Sequence, residues 1–87
     1  MLNYKIYPNP TTDKLFISLD SDKPLTLTLR LTDMTGRTTG IVINDLKVDG
    51  PVKRELDLGN LASGQYTLHL LDAKKQSQKT FKVMKVD

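Results

Sequence analysis

The chain has 87 residues, no cysteine, and 13 basic against 10 acidic side chains, which give a net charge of +3. A chain of this length builds one domain with a thin core, and the lack of cysteine excludes disulfides, thiol catalysis and cysteine-based metal sites. The longest aliphatic run is Ile41-Val42-Ile43, far short of the roughly 20 apolar residues of a membrane helix. We therefore predict a single domain over residues 1–87 with no membrane span.

Apolar residues recur at every second position through most of the chain, which is typical of half-buried β-strands. The clearest case is residues 25–32, where four leucines alternate with three threonines and an arginine. Turn residues at 20–24 and 33–37 flank this segment, and Gly36 is expected to adopt a positive φ. Residues 45–50 are compatible with a short strand or a wide loop. In chain order, the predicted strands are residues 4–7, 14–20, 25–32, 38–44, 52–58, 66–71 and 78–86.

Residues 56–70 read as a strand, a tight loop and a second strand. Glycine pairs with a polar residue at 59–60 and at 63–64, and such pairs adopt left-handed backbone angles at low cost. Leu61 lies within this loop and needs an apolar environment, while Tyr66 begins the next alternating strand. No segment is predicted to form a helix of ten residues. The fold is therefore predicted to be all-β: a single small antiparallel, Ig-like β-sandwich of about seven strands.

Few residues offer chemistry for catalysis or metal binding. His69 is the only histidine, and strand alternation places it on the outer, wetter side, which favours a solvated structural role over acid–base catalysis. Asp20 and Asp22, with Asp13 nearby, offer oxygens to calcium, but the segment lacks the glycine and distal glutamate of a dedicated calcium loop, so a plain turn is favoured. We predict no catalytic, cofactor-binding or metal-binding residues, no cofactor, and no enzymatic activity.

Lysines concentrate near the C-terminal end, at positions 74, 75, 79, 82 and 85. Nucleic-acid binding would require exposed aromatic or arginine side chains among them, and only Phe81, which is expected in the core, lies in that region. Lysines on a final strand also protect a sheet edge from unwanted pairing. We predict no nucleic-acid partner and keep the lysines of the last strand as candidates for protein recognition.

Four motifs in order along the chain resemble the type A C-terminal sorting domain of the type IX secretion system. The first is the corner Tyr7-Pro8-Asn9-Pro10, in which Pro8 and Pro10 on either side of Asn9 make the backbone stiff. The others are the strand and turn at 29–37, the strand, loop and strand at 56–66, and the lysine-bearing final strand. The resemblance implies structural roles for residues of these motifs, namely Pro8, Asn9, Pro10, Gly36, Leu61, Gly64 and Tyr66.

The resemblance implies that the domain is an address label at the C-terminus of a larger exported protein, whose cargo domain is absent from this chain. The implied partners are the outer-membrane type IX translocon and sortase-like components. The implied route leads from the periplasm to the cell surface or the extracellular medium, with cleavage and surface attachment of the cargo. The family fold is an antiparallel β-sandwich of about seven strands, in line with the pattern of alternation.

We expect the translocon to read the last hairpin, by adding a strand to its edge and by contacting outward lysines with an acidic surface. The candidate recognition residues are Lys79, Lys82, Val83 and Lys85. The alternative function is a non-catalytic carbohydrate- or protein-binding β-sandwich module. Such modules usually expose tryptophan or tyrosine on a platform, whereas this chain has no tryptophan and only three tyrosines.

Overall fold

The computed structural model describes residues 2–74 and 76–87, without the side chains of Ser77 and Gln78. These residues form five β-strands, and the described part of the chain contains no helix. In chain order the strands are β1 Leu2–Tyr7, β2 Lys14–Asp33, β3 Thr38–Asp57, β4 Gly64–Leu71 and β5 Ser77–Lys85.

The five strands form one antiparallel sheet in which the 20-residue β2 is the central element. The first half of β2 lies between β1 and the end of β3, and its second half lies between the start of β3 and β4. The last strand, β5, pairs with β4. Because β1 and β5 pair with one strand each, they form the two ends of the path β1-β2-β4-β5.

The strand count is therefore five and not about seven, because two pairs of predicted strands are continuous. Residues 14–20 and 25–32 belong to β2, and residues 38–44 and 52–58 belong to β3. The predicted turn at 20–24 is an irregularity within β2, where the register with β3 shifts and the Ser21 hydroxyl donates to the Lys23 carbonyl at 2.5 Å. Residues 45–50 are strand and not a wide loop. A sandwich of two separate sheets is not confirmed.

The sheet curls around one hydrophobic core that collects inward side chains from both halves of β2 and from β3, β4 and β5. Its ends meet at an aromatic contact, since the rings of Tyr4 on β1 and Phe81 on β5 lie 5.2 Å apart between centroids. Burying a leucine side chain contributes about 1.5–3 kcal/mol, so these residues dominate the stability of the fold. The core consists of Leu15, Ile17, Leu19, Leu27, Leu29, Leu31, Leu46, Val48, Leu56, Leu58, Tyr66, Leu68, Leu70 and Val83.

The loop between β3 and β4 is fastened by Leu61 and Tyr66. Leu61 packs against the core, and the Tyr66 hydroxyl donates a 2.6 Å hydrogen bond to the Ala62 carbonyl across the loop. Of the two glycines of this loop, Gly64 has a positive φ and Gly59 does not. A Cβ at this position would lie 2.7 Å from Asp13 Oδ1, so a larger residue would require that carboxylate to move.

Candidate recognition surface

The four candidate recognition residues of β5 do not share one surface. Val83 and Lys85 are only 1% and 5% exposed, because they point to the inner side of the curled sheet. Lys82 points to the opposite, outer side and is exposed. Lys79 is exposed at the rim, where its Nζ lies 5.5 Å from the centroid of the Tyr4 ring. Of the three lysines among these four residues, therefore, only Lys79 and Lys82 are exposed to solvent.

Lys85 is buried because the segment after Pro10 lies alongside the end of β5. Thr11 forms a parallel bridge with Lys85. The Thr11 N–H donates to the Met84 carbonyl and the Val86 N–H donates to the Thr11 carbonyl, each at 2.9 Å. Thr11 itself is 2% exposed. The edge of β5 that faces away from β4 is thus covered by a segment that precedes it by more than 70 residues.

Asn9 extends this closure with its side chain. Its Nδ2 donates to the Lys82 carbonyl at 2.8 Å, and its Oδ1 accepts from the Met84 N–H at 2.9 Å. Pro8 and Pro10 have no backbone N–H to offer a neighbouring strand, so the asparagine amide supplies both the donor and the acceptor. We call the Asn9 side chain and the Thr11 backbone together the edge clamp.

The edge clamp changes the expected mode of recognition. It occupies the Lys82 and Met84 carbonyls and the Met84 and Val86 N–H groups, which are the groups that an added strand would need. The hypothesis that a partner strand adds to β5 is therefore wrong for residues 82–86 of the folded domain.

The outer side of β2, β4 and β5 carries two rows of polar side chains. In one row Arg30 lies opposite His69, and His69 lies opposite Thr80. In the next row Thr32 lies opposite Thr67, and Thr67 lies opposite Lys82. We call this surface the basic face, because its three ionisable side chains are Arg30, His69 and Lys82.

His69 lies on the outer side of β4, as strand alternation predicts, but it is half-buried. Its Nε2 lies 2.9 Å from Thr32 Oγ1. The Thr32 hydroxyl also lies 3.5 Å from the Thr67 carbonyl. These contacts hold the imidazole between β2 and β4.

A shallow groove of about 360 Å³ runs over the basic face along β2 and β4. Arg30, His69 and Leu71 lie toward one end, and the turn between β2 and β3 borders the other end with Met34, which is 77% exposed. The complete lining is Arg30, Thr32, Asp33, Met34, Gly36, Thr67, His69 and Leu71.

Asp33 is the acidic residue of the groove, and residues of its own turn supply hydrogen bonds to its carboxylate. Its Oδ1 accepts from the Thr35 hydroxyl at 2.7 Å, the Thr35 N–H at 2.9 Å and the Arg37 N–H at 3.0 Å. The hydrogen bond from the Thr35 side chain, the two backbone donors and the Arg37 charge hold the pKa of Asp33 below its usual 3.8, against a smaller opposing effect of burial. Gly36 completes this turn with the predicted positive φ, +88°.

On the outer side of the other half of the sheet, Lys14 is paired with two carboxylates. Lys14 Nζ lies 3.1 Å from Asp57 Oδ2 and 3.7 Å from Glu55 Oε2. The Asp57 pKa is lowered, chiefly by the hydrogen bond from the Gly59 N–H and then by Lys14. Lys14 is therefore neutralised locally, whereas Arg30 of the basic face has no such ion pair with any described residue.

The described residues contain no cluster of three or more histidine, cysteine, aspartate or glutamate side chains that could hold a metal ion. Asp20 and Asp22, the residues considered as calcium ligands, lie within strand β2 and not in a ligand loop. Nor does the described part of the chain contain a helix that could cross a membrane.

The comparison with protein families agrees with the arrangement of these motifs. The family described as the secretion system C-terminal sorting domain matches residues 5–84. The chain belongs to this family. The match confirms the resemblance to the type IX sorting domain and covers all four motifs except the end of the final strand. No curated protein matches the chain. A type IX sorting tail implies a protein that is exported across the outer membrane.

Two features of the sorting domain could not be read from the sequence. The partners of Asn9 lie 73 and 75 residues away, and no local pattern encodes such a contact. Arg30 and His69 face each other only because β2 and β4 pair in a particular register. The Pro-Asn-Pro spacing was the one available signal, and it indicated a corner without indicating what the asparagine binds.

Proposed function

We propose that this domain is the sorting label of an exported protein, recognised at the outer membrane by the type IX translocon in its folded state. The family match over residues 5–84 supports the sorting role. The burial of the core and the closure of the β5 edge support recognition of a folded surface, because the edge of β5 at residues 82–86 is already hydrogen-bonded. Sortase-like components at the cell surface act on the cargo after export.

Within this proposal, the recognised residues of β5 are Lys79 and Lys82. Both are exposed, and Lys82 belongs to the basic face, which suits an acidic partner surface. Val83 and Lys85 contribute by holding β5 in place, since their side chains are buried. This divides the four candidate residues into two that a partner contacts and two that maintain the strand.

A reporter fusion tests the sorting role. Residues 1–87 are fused behind a signal peptide and a reporter in a bacterium with a type IX system, and the reporter is measured in the medium, on the cell surface and in the periplasm. We expect export with the domain, and retention in the periplasm without the domain or in a strain that lacks the translocon pore. Equal export with and without the domain would refute the sorting role.

The proposal includes removal of the domain after export, with the cargo attached to the cell surface or released. The exported reporter would then be smaller than the full fusion by about the 9.8 kDa of this domain. Immunoblotting of surface and medium fractions measures the difference. An exported reporter that keeps the full mass would contradict cleavage and leave the sorting role untouched.

A further inference from the structure

We propose that the groove of the basic face binds a carboxylate of an acidic peptide segment, with Arg30 as its anchor. The proposal deepens the sorting function and rests on it, because the acidic segment would belong to the export machinery. It assigns a binding residue outside the lysine-bearing strand, on β2, and thereby extends the recognised surface across three strands.

The inference depends on the burial of Arg30 and on its lack of a partner among the described residues. Arg30 is half-buried in the centre of the sheet, yet its guanidinium makes no ion pair or hydrogen bond with any residue that the structure describes. Arginines that are partly withdrawn from water usually find a carboxylate or carbonyl partner. The planar fork of a guanidinium matches a carboxylate with two parallel hydrogen bonds, so a carboxylate is the group that fits Arg30 best.

The charge distribution selects an acidic occupant. Arg30, His69 and Lys82 lie in adjacent rows of the same outer surface. The carboxylate of Asp33 is bound within its own turn by Thr35 and Arg37, so it does not neutralise Arg30. A partner segment with two or three acidic side chains could therefore place one carboxylate on Arg30 and another near Lys82.

The dimensions and lining favour a peptide over a sugar. The volume of about 360 Å³ is at the lower end of the range for ligand pockets, and it suits one or two side chains of an extended segment. The lining contains no tryptophan, tyrosine or phenylalanine ring on which a sugar could stack, whereas threonine hydroxyls of β2 and β4 and the thioether of Met34 suit the polar and apolar parts of a peptide.

Amide chemical shifts of the isotope-labelled domain measure the binding directly. The probe is an acetylated and amidated peptide of five glutamates, and the matched control is the corresponding glutamine peptide, both at low salt. We expect shifts at Arg30, Thr67, His69 and Lys82 with the glutamate peptide alone, and weaker binding as salt is added. Arg30→Gln should weaken the affinity by about ten- to hundredfold, in line with the loss of a charge-assisted hydrogen bond.

Two further variants separate binding from folding. Arg30→Lys keeps the charge but loses the fork, so we expect an affinity between those of the wild type and Arg30→Gln. Arg54→Gln removes an equally charged, exposed side chain of β3 and should change the affinity less than twofold. Equal losses in Arg30→Gln and Arg54→Gln, or shifts spread evenly over all lysines, would overturn the proposal. Tighter binding of a trimer of uronic acids than of the peptide would overturn the choice of a peptide.

The outcomes also separate this inference from the sorting function. Export of the wild-type fusion without peptide binding in the groove would refute the inference and leave the sorting function intact. Peptide binding in the groove without export of the fusion would refute the sorting function and leave an acidic-peptide site.

Discussion

Replacing Asn9 with alanine tests the edge clamp, which is the contact that most distinguishes the folded domain from an open sheet. The change deletes two hydrogen bonds, to the Lys82 carbonyl and from the Met84 N–H. A hydrogen bond contributes about 0.5–1.5 kcal/mol net, and both of these bonds are exposed to water, which replaces part of the loss. We therefore expect a decrease of about 1–2 kcal/mol in the free energy of unfolding, or roughly 5–10 °C in Tm for a domain of this size.

Urea denaturation and hydrogen exchange measure this effect at two levels. The unfolding midpoint should fall without a change in the m-value, and the Met84 amide should exchange faster than in the wild type because it has lost its acceptor. Asn3→Ala is the matched control, since Asn3 is exposed on β1 and its side chain forms no hydrogen bond with any described residue, and it should change stability by less than about 0.5 kcal/mol. An Asn9→Ala domain with unchanged stability and unchanged Met84 exchange would refute the clamp.

Three further predictions concern the core, the loop between β3 and β4, and the turn between β2 and β3. Val83→Ala should lower the free energy of unfolding by about 2 kcal/mol through lost burial and a cavity, whereas Lys82→Ala should stay within about 0.5 kcal/mol; equal effects would contradict the assignment of one side chain to the core and the other to the surface. Tyr66→Phe should cost about 0.5–1.5 kcal/mol in urea denaturation because the Ala62 carbonyl loses its donor, and an unchanged midpoint would argue against the loop contact. The lowered pKa of Asp33 means that its carboxylate stabilises the fold above its unfolded-state pKa and loses this effect as the pH falls through its folded-state pKa; an NMR titration of the carboxyl carbon should give a pKa below 3.8, and a value at or above 3.8 would contradict the geometry of the turn.

Local patterns were sufficient to predict the strands but not their boundaries. The alternation at 25–32 depends only on the side-chain period of a strand, and the structure buries all of its leucines at least partly. Residues 20–24 have the composition of a turn, yet β2 continues through them because β3 runs alongside on both sides of the irregularity. Turn propensity is weaker than the pairing of two 20-residue strands, and this is why the expected seven strands became five.

The candidate surface could be predicted only where it depended on strand parity. Alternation places Lys82 and Val83 on opposite sides, and burial separates them accordingly. The burial of Lys85 depends on Thr11, which returns to β5 from the far end of the chain. The sequence does not indicate a role for Arg30, because a single arginine among leucines and threonines is an ordinary outward residue. Its proposed role depends on having His69 opposite and no acidic partner among the described residues.

Export of the reporter fusion after reversal of charge on β5 tests the central claim most directly, namely that the folded domain is recognised through its exposed basic side chains. The account predicts that Lys79→Glu with Lys82→Glu leaves the isolated domain folded, because both side chains are exposed, and reduces export at least about tenfold by placing repulsive charges against an acidic partner. The matched pair Lys47→Glu with Lys53→Glu changes two exposed lysines of β3 and should leave export unchanged. Full export of the Lys79→Glu and Lys82→Glu fusion, with the domain folded, would contradict the account.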